Sequence, residues 1–319
     1  MKRRTFLKNT ATASPLLTIP VNWVKNLLED KTLMSIGLQL FSLPQLLEQD
    51  LEQGISMISS MGYDEIELFG PYPFSVKEAK ENWIEVTRPY GGIKSGYYGY
   101  SQKEFIQLFQ ANKLKITSMH TDLQSLEEKM EELCDAANYL GASYLVLPSI
   151  PAERRKSLDD YKRMANTFNS IGEEAKKHGV RFAYHNHGYG WVESSGQRPI
   201  DIIFNETDPT TVFFQMDIFW TSAAGVDIIN CLNNHPDRYH LMHIKDMKEV
   251  VRFEKNGEDA REWFSLLPFI APCGSGVLNL KEIIKTAQKV GVKHFFVEQD
   301  IAPQPSVSLK QSHHYLDKI

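Results

Sequence analysis

The segment RFAYHNHGYGW, Arg181 to Trp191, carries an apolar run that ends in two histidines two residues apart. Side chains alternate along a strand, so His185 and His187 share one face and Asn186 takes the other. A lone histidine of this kind is more often a hydrogen-bonded core residue than a ligand. Three later apolar runs, however, also end in metal-capable groups: QMD at Asp217, LMHIKD at His243 and FFVEQD at Glu298. His185, Asp217, His243 and Glu298 together make two imidazoles and two carboxylates with open positions. That donor set suits one divalent ion of the Mn2+, Zn2+, Co2+, Fe2+ or Mg2+ class. Strand parity places His187 with His185, and Lys245 with His243, so both reach the same space as candidate catalytic groups. Each has a plainer alternative, with His187 only orienting a ligand and Lys245 paired with Glu67 or Asp300.

Such residues meet only if the elements that carry them converge. His185 to Asp217 and Asp217 to His243 are 32 and 26 residues apart, each close to one strand-helix-strand unit. From residue 33 onward the chain alternates throughout. Strand-like runs at 33 to 41, 64 to 69, 115 to 121, 143 to 149, 181 to 187, 211 to 217, 239 to 246 and 293 to 300 are separated by helical patterns such as 43 to 62, 122 to 140 and 158 to 178. Eight such units predict an α/β fold, a single (β/α)8 TIM barrel over 31 to 319. The rival open sheet would carry a Gly-rich turn after its first strand, and GLQLFSLPQ has none. Insertions at 70 to 100 and 247 to 276 follow strands two and seven, so they belong to the face that carries chemistry in such barrels. The first is rich in Tyr, Trp and Gly, as a sugar-contacting rim would be. By parity Gln39, Glu67 and His120 stand near the ends of strands one, two and three, where they would contact substrate hydroxyls. Asp246 faces away from His243 and Lys245 and reads as a loop anchor.

Composition excludes other partners. The 319 residues carry a formal charge of -5. Residues 1 to 30 hold Lys2, Arg3, Arg4, Lys8 and Lys25 against Glu29 and Asp30, a net +3, which leaves -8 for the rest. An acidic body argues against nucleic acid and anionic membranes as partners. Cys134, Cys231 and Cys273 are too few and too scattered for a disulfide framework or a cysteine zinc site. KRRTFLKNTATASPLLTIP resembles a twin-arginine export signal, with an apolar stretch too short to span a bilayer. Residues 1 to 30 are therefore expected to be an export signal and linker read by the twin-arginine machinery, and the barrel to be periplasmic.

With YHNH at 184 to 187, the strand end at Asp217, HIKD at 243 to 246, GSGVLNLKEII at 274 to 284 and VEQD at 297 to 300, the chain resembles the xylose isomerase-like barrels. That superfamily, the sugar phosphate isomerase/epimerase group, includes hexulose 3-epimerases, inosose isomerase and inosose dehydratase. The resemblance covers about residues 33 to 300 and implies a small-molecule carbohydrate substrate. In the epimerases the first ligand is a glutamate, which with the last one, here Glu298, forms a pair of proton-transfer bases. This chain has His185 in the first place, and Trp220 where epimerases often carry a substrate-contacting His. The YHNH form looks more like the inosose dehydratase branch and relatives acting on 3-keto-glycosides. Imidazole for carboxylate lowers the negative charge of the ligand set, strengthening the Lewis acid, and removes one base. The expectation is elimination or hydration through an enediolate, with ketose epimerisation and a non-catalytic sugar-binding barrel as alternatives.

Overall fold

The computed structural model describes residues 35–319; the expected export signal lies outside the described residues. Eight parallel strands close into a barrel in chain order: β1 (Gly37–Gln39), β2 (Glu65–Phe69), β3 (Lys115–His120), β4 (Tyr144–Leu147), β5 (Arg181–His185), β6 (Val212–Asp217), β7 (Tyr239–Ile244) and β8 (His294–Val297), with β8 paired back to β1. The single TIM barrel expected from the sequence is present. Its helices are α1 (Pro44–Gln49), α2 (Leu51–Ser60), α3 (Lys77–Thr87), α4 (Gln102–Ala111), α5 (Leu123–Glu128), α6 (Met130–Leu140), α7 (Leu158–Lys177), α8 (Pro199–Glu206), α9 (Ile218–Ala223), α10 (Ile228–Asn234), α11 (Ala260–Leu266), α12 (Leu280–Lys289) and α13 (Pro305–Leu316).

Two long helical patterns are each divided. The run from 43 to 62 breaks at Asp50, whose extended backbone and side chain cap α2 through the Gln53 N–H. The run from 122 to 140 breaks at Lys129. A periodic apolar stripe continues across either break, so periodicity does not register it. An aspartate that accepts a backbone N–H offers the chain a turn in place of the helical bond, which is the local reason for the first break.

Alternation along the strands sorts the barrel interior into levels. At the N-terminal end Tyr144, Val146, Ala183, Leu241 and Phe296 form an apolar plug, with Phe213 packed against it. Two residues further along the same inward faces come Gln215, His243, His185 and Glu298, all buried. The outward faces, such as Leu145, Leu147, Phe182, Phe214 and Met242, meet the helices in the main core. Each fully buried side chain of this size contributes roughly 1.5–3 kcal/mol, so the shell is held by packing while the inner upper level is left to polar chemistry.

Asp246 is the loop anchor its parity indicated. Its carboxylate accepts the backbone N–H groups of Met247 (2.8 Å), Gly274 (2.9 Å), Gly276 (2.9 Å) and Leu278 (3.2 Å). A Cβ on Gly276 would lie 2.3 Å from an Asp246 oxygen, which accounts for the glycine there. The two ends of the 247 to 276 insertion are further tied by a short antiparallel pair, Asp246–Met247 with Ile270–Ala271.

Candidate metal centre and sugar pocket

The strand ends bring His185, Asp217, His243 and Glu298 together. Asp217, His243 and Glu298 can each offer one ligand atom within 4.8 Å of the others, and so can His120, His185 and His243. His243 Nδ1 lies 2.7 Å from Glu298 Oε2 and 3.9 Å from Asp217 Oδ2, and His185 Nε2 lies 3.9 Å from that same Asp217 oxygen. His243 Nδ1 and Asp217 Oδ2 are buried and lack a partner in hydrogen-bonding geometry. Their neighbours, Glu298 Oε2 and Lys245 Nζ, are ion-pair contacts only, and a buried nitrogen and oxygen converging in this way are donors that a divalent ion would satisfy, so the residues present fit such an ion.

Beneath them a hydrogen-bond network sets which atoms are turned to the centre. Glu67 Oε1 accepts from His243 Nε2, from Gln39 Nε2 at 2.8 Å and from His120 Nε2 at 3.0 Å. Its Oε2 accepts from Ser118 and from Gln215 Nε2 at 2.7 Å. With the Nε2 proton of His243 held by Glu67, Nδ1 faces Asp217 and Glu298, and its lone pair would become available to an ion on loss of the proton it shares with Glu298. Gln215 Oε1 lies 2.9 Å from His185 Nδ1 and 2.8 Å from His120 Nε2. Its amide donates to Glu67, so this oxygen accepts the Nδ1 proton of His185 and leaves Nε2 free to ligate. Of the two groupings, the one with Asp217 and Glu298 is favoured, because His120 Nε2 is already engaged by Gln215 and Glu67.

The electrostatics follow from this geometry. Burial alone would raise the Glu67 carboxyl, but the charges and hydrogen bonds of His120 and His243 outweigh it and hold it well below its ordinary value. Burial opposes charge on His243, yet Glu298 and Glu67 carry it up to about 10. Burial and the neighbouring cations push His185 well down. Burial and Lys245 take His187 down to about 3. His185 and His187 are thus neutral imidazoles at ordinary pH.

Lys245 Nζ stands 2.6 Å from Asp300 Oδ2, 2.7 Å from Glu298 Oε2 and 2.9 Å from Asp217 Oδ2, so its partners include Asp300 but not Glu67. Burial would lower it, and the three carboxylates instead hold it well above the usual lysine value. It also lies 5.2 Å from the Trp220 ring centroid.

Above the centre opens a cavity of about 1050 Å³. Gln39, His120, His185, His187, Trp220, Lys245, Glu298 and Asp300 line it. Glu67 does not, being wholly buried one level lower. Its place in the network therefore differs from the hydroxyl contact expected from its position in β2: it holds the side chains that face the cavity. Gln39 keeps a cavity-lining position, although its amide N–H goes to Glu67 and its oxygen to the Phe41 N–H. The ring of His187 stacks on Trp263 with centroids 4.4 Å apart, so the second insertion fixes this histidine from above.

Sequence reading missed Gln215, Ser118 and, as a cavity residue, Asp300. Parity held the signal for all three, since each stands two residues from a named site residue, Asp217, His120 and Glu298.

Comparison with known proteins agrees with this architecture. Residues 55–319 match the family model described as xylose isomerase-like TIM barrel. The chain belongs to that family. An inosose dehydratase of Lacticaseibacillus casei is 23% identical over 279 residues, covering 80% of this chain and 84% of that protein. A sugar phosphate isomerase/epimerase of Parabacteroides distasonis superposes with a TM-score of 0.69 at 26% identity, covering 89% of this chain and 93% of the other. The IOLI protein, solved with a bound zinc atom, superposes with a TM-score of 0.62 at 16% identity, over 89% and 96% of the two chains, and so shares the fold. No helix among the described residues is long and apolar enough to cross a membrane.

Proposed function

We propose that this family member is a divalent-metal-dependent enzyme that removes a proton beside the carbonyl of a keto-sugar or 3-keto-glycoside and eliminates, or adds, water at the neighbouring carbon. The inosose dehydratase and sugar isomerase/epimerase relatives support the substrate class, and the zinc in the IOLI protein supports a metal of this type.

One observation carries the choice of reaction. The two carboxylates that face the cavity beside the centre, Glu298 and Asp300, both come from the end of β8, whereas the ends of β5 and its loop supply neutral His185 and His187. Epimerisation through an enediolate takes a proton from one face and returns one to the other; elimination needs a base and an acid on the path of one departing hydroxyl.

A divalent ion, when bound, supplies Lewis acidity toward the substrate carbonyl oxygen. His185, Asp217, His243 and Glu298 would hold it. Glu298 takes the proton alpha to the carbonyl. Lys245, kept charged by its three carboxylates, gives a proton to the leaving hydroxyl, which departs as water. The 2.7 Å contact between Glu298 Oε2 and Lys245 Nζ then returns the proton and restores both groups. His187 and Trp220 border the same cavity, with the Trp220 ring beside Lys245, and orient the sugar ring.

Proton NMR of the reaction in D2O tests the reading. Dehydrated or hydrated product is expected from a 3-keto-glycoside panel, and His185→Glu should reduce it. Clean interconversion of two ketose epimers by the unaltered protein, with deuterium entering only at the epimerised carbon, would remove the elimination reading. We also infer export of the barrel by the twin-arginine route, on the order of Arg3, Arg4, Phe6, Leu7 and Lys8. Arg3→Lys with Arg4→Lys should hold the protein in the cytoplasm, and unchanged periplasmic recovery would refute that route.

A further inference from the structure

The cavity is larger than one sugar ring requires and is divided in character. Its 1050 Å³ reaches the upper end of the roughly 300–1,000 Å³ typical of drug-sized ligand sites. The groups that could hold an ion or move a proton gather at the deep end by the centre. The outer part lies between two helices, α3 from the first insertion and α11 from the second; with the short turns that follow them they supply Trp83, Val86 and Tyr90, then Trp263, Phe264 and Leu267. The insertions meet above the mouth, where the Tyr90 and Phe264 rings are 5.6 Å apart.

The chemistry of this cleft is mainly hydrocarbon, although Glu78 and Asn82 of α3 and Asp259 at the start of α11 also line it. Trp83 packs with Phe41 and Phe69 at centroid distances of 6.1 and 5.6 Å. The indole N–H of Trp83 is bound to the Ile93 carbonyl at 2.6 Å, and that of Trp263 to the Gly257 carbonyl at 2.6 Å. Both tryptophans therefore present only their carbon surfaces. Val86 and Phe264 remain 45% and 38% exposed, apolar side chains held open at the mouth of a polar site. A second sugar ring would need hydrogen-bond partners for its hydroxyls; the two indole N–H groups are spent, which leaves it only Glu78, Asn82 and Asp259 on these helices against six apolar side chains. A flat aromatic group needs only faces and edges to pack against.

We propose that the cleft between α3 and α11 is an aglycone subsite, and that the substrate is a glycoside whose sugar occupies the deep polar end while an aromatic aglycone packs against Trp83 and Phe264. The inference rests on the sugar-enzyme reading of the same cavity and adds the class of the second group.

The test is calorimetric binding of phenyl β-D-glucopyranoside, methyl β-D-glucopyranoside and cellobiose to the metal-loaded protein. The phenyl glycoside should bind roughly tenfold tighter than the methyl one, equivalent to about 1.4 kcal/mol, with cellobiose no tighter than methyl. Trp83→Leu and Phe264→Ala should each reduce the phenyl advantage to less than about threefold while leaving methyl glycoside affinity unchanged. Phe264 is exposed enough that its variant keeps the fold. Equal or undetectable binding of phenyl and methyl glycosides, a cellobiose preference, or equal weakening of both in the variants would overturn the proposal. Turnover plays no part in the readout. A phenyl preference without conversion of the 3-keto forms would therefore sink the elimination reading alone, and conversion without the preference would sink the subsite alone.

Discussion

Replacing Glu67 by Gln changes one oxygen to an amide at the point where five donors converge: Gln39, His120, His243, Ser118 and Gln215. If the new NH2 takes the Oε1 place it meets Gln39 Nε2 and two imidazole N–H groups, donor against donor. If it takes the Oε2 place, the Ser118 hydroxyl can rotate to accept, but the Gln215 amide must flip. The flipped Gln215 then turns its NH2 toward His185 Nδ1 and His120 Nε2, and relief comes only if His185 moves its proton to Nε2, the nitrogen turned toward Asp217. Every relaxation therefore leaves a buried donor unsatisfied or disables a ligand. Breaking a buried charged network of this kind costs about 3–5 kcal/mol, which for a domain of this size corresponds to a midpoint lowered by about 5–8 °C. Loss of a group that orients metal-binding histidines weakens metal affinity by about 10–100-fold. Calorimetric titration of Zn2+ or Mn2+ and thermal melting of the metal-free protein measure the two effects separately. A Glu67→Gln variant with metal affinity within twofold of the parent and a midpoint within 2 °C would refute the account of the network.

Asp217→Ala should lose stoichiometric divalent metal while keeping the far-UV dichroism of the barrel, because the residue lies above the apolar plug; retained metal, measured by plasma emission, would sink the ligand assignment. Asp246→Ala removes the acceptor of four backbone N–H groups and should cost about 3 kcal/mol or more, with new protease cleavage inside 248 to 276; an unchanged digestion pattern would show that the anchor is not needed. His240 sits in the N-terminal part of the barrel, with its ring stacked on Phe213, and burial, Lys293, Arg181 and His294 lower it to about 3. A histidine lowered on folding contributes stability that is complete above about pH 6.5 and declines toward pH 3, since the unfolded chain takes up the proton first. Urea titrations at pH 7 and pH 4 should therefore show His240→Phe losing less stability on acidification than the parent, by about 1–3 kcal/mol, and equal losses would contradict the assignment.

The fold was legible because it rests on local pattern. Eight apolar runs at unit spacing, with helical periodicity between them, admit few closed arrangements, and strand parity alone puts His185, Asp217, His243 and Glu298 at the same end. Parity also separates Asp246 from Lys245, so the anchor could be told from the cavity residue before any coordinates. What sequence does not carry is depth and partner choice. Glu67 and Gln39 both lie on inward faces, yet Gln39 borders the cavity and Glu67 lies beneath it, because barrel tilt sets how high each inward residue stands. Gln215 looks like any glutamine in a strand until the side chains of β2, β3 and β5 meet its two ends. Lys245 had two plausible partners in the chain; three carboxylates from β6 and β8 surround it only once the barrel closes. The residue types and their faces are fixed by neighbours a few positions away in sequence, whereas the tautomers, the charges and the shape of the outer cleft depend on groups brought together by closure of the barrel and by two insertions meeting over its mouth.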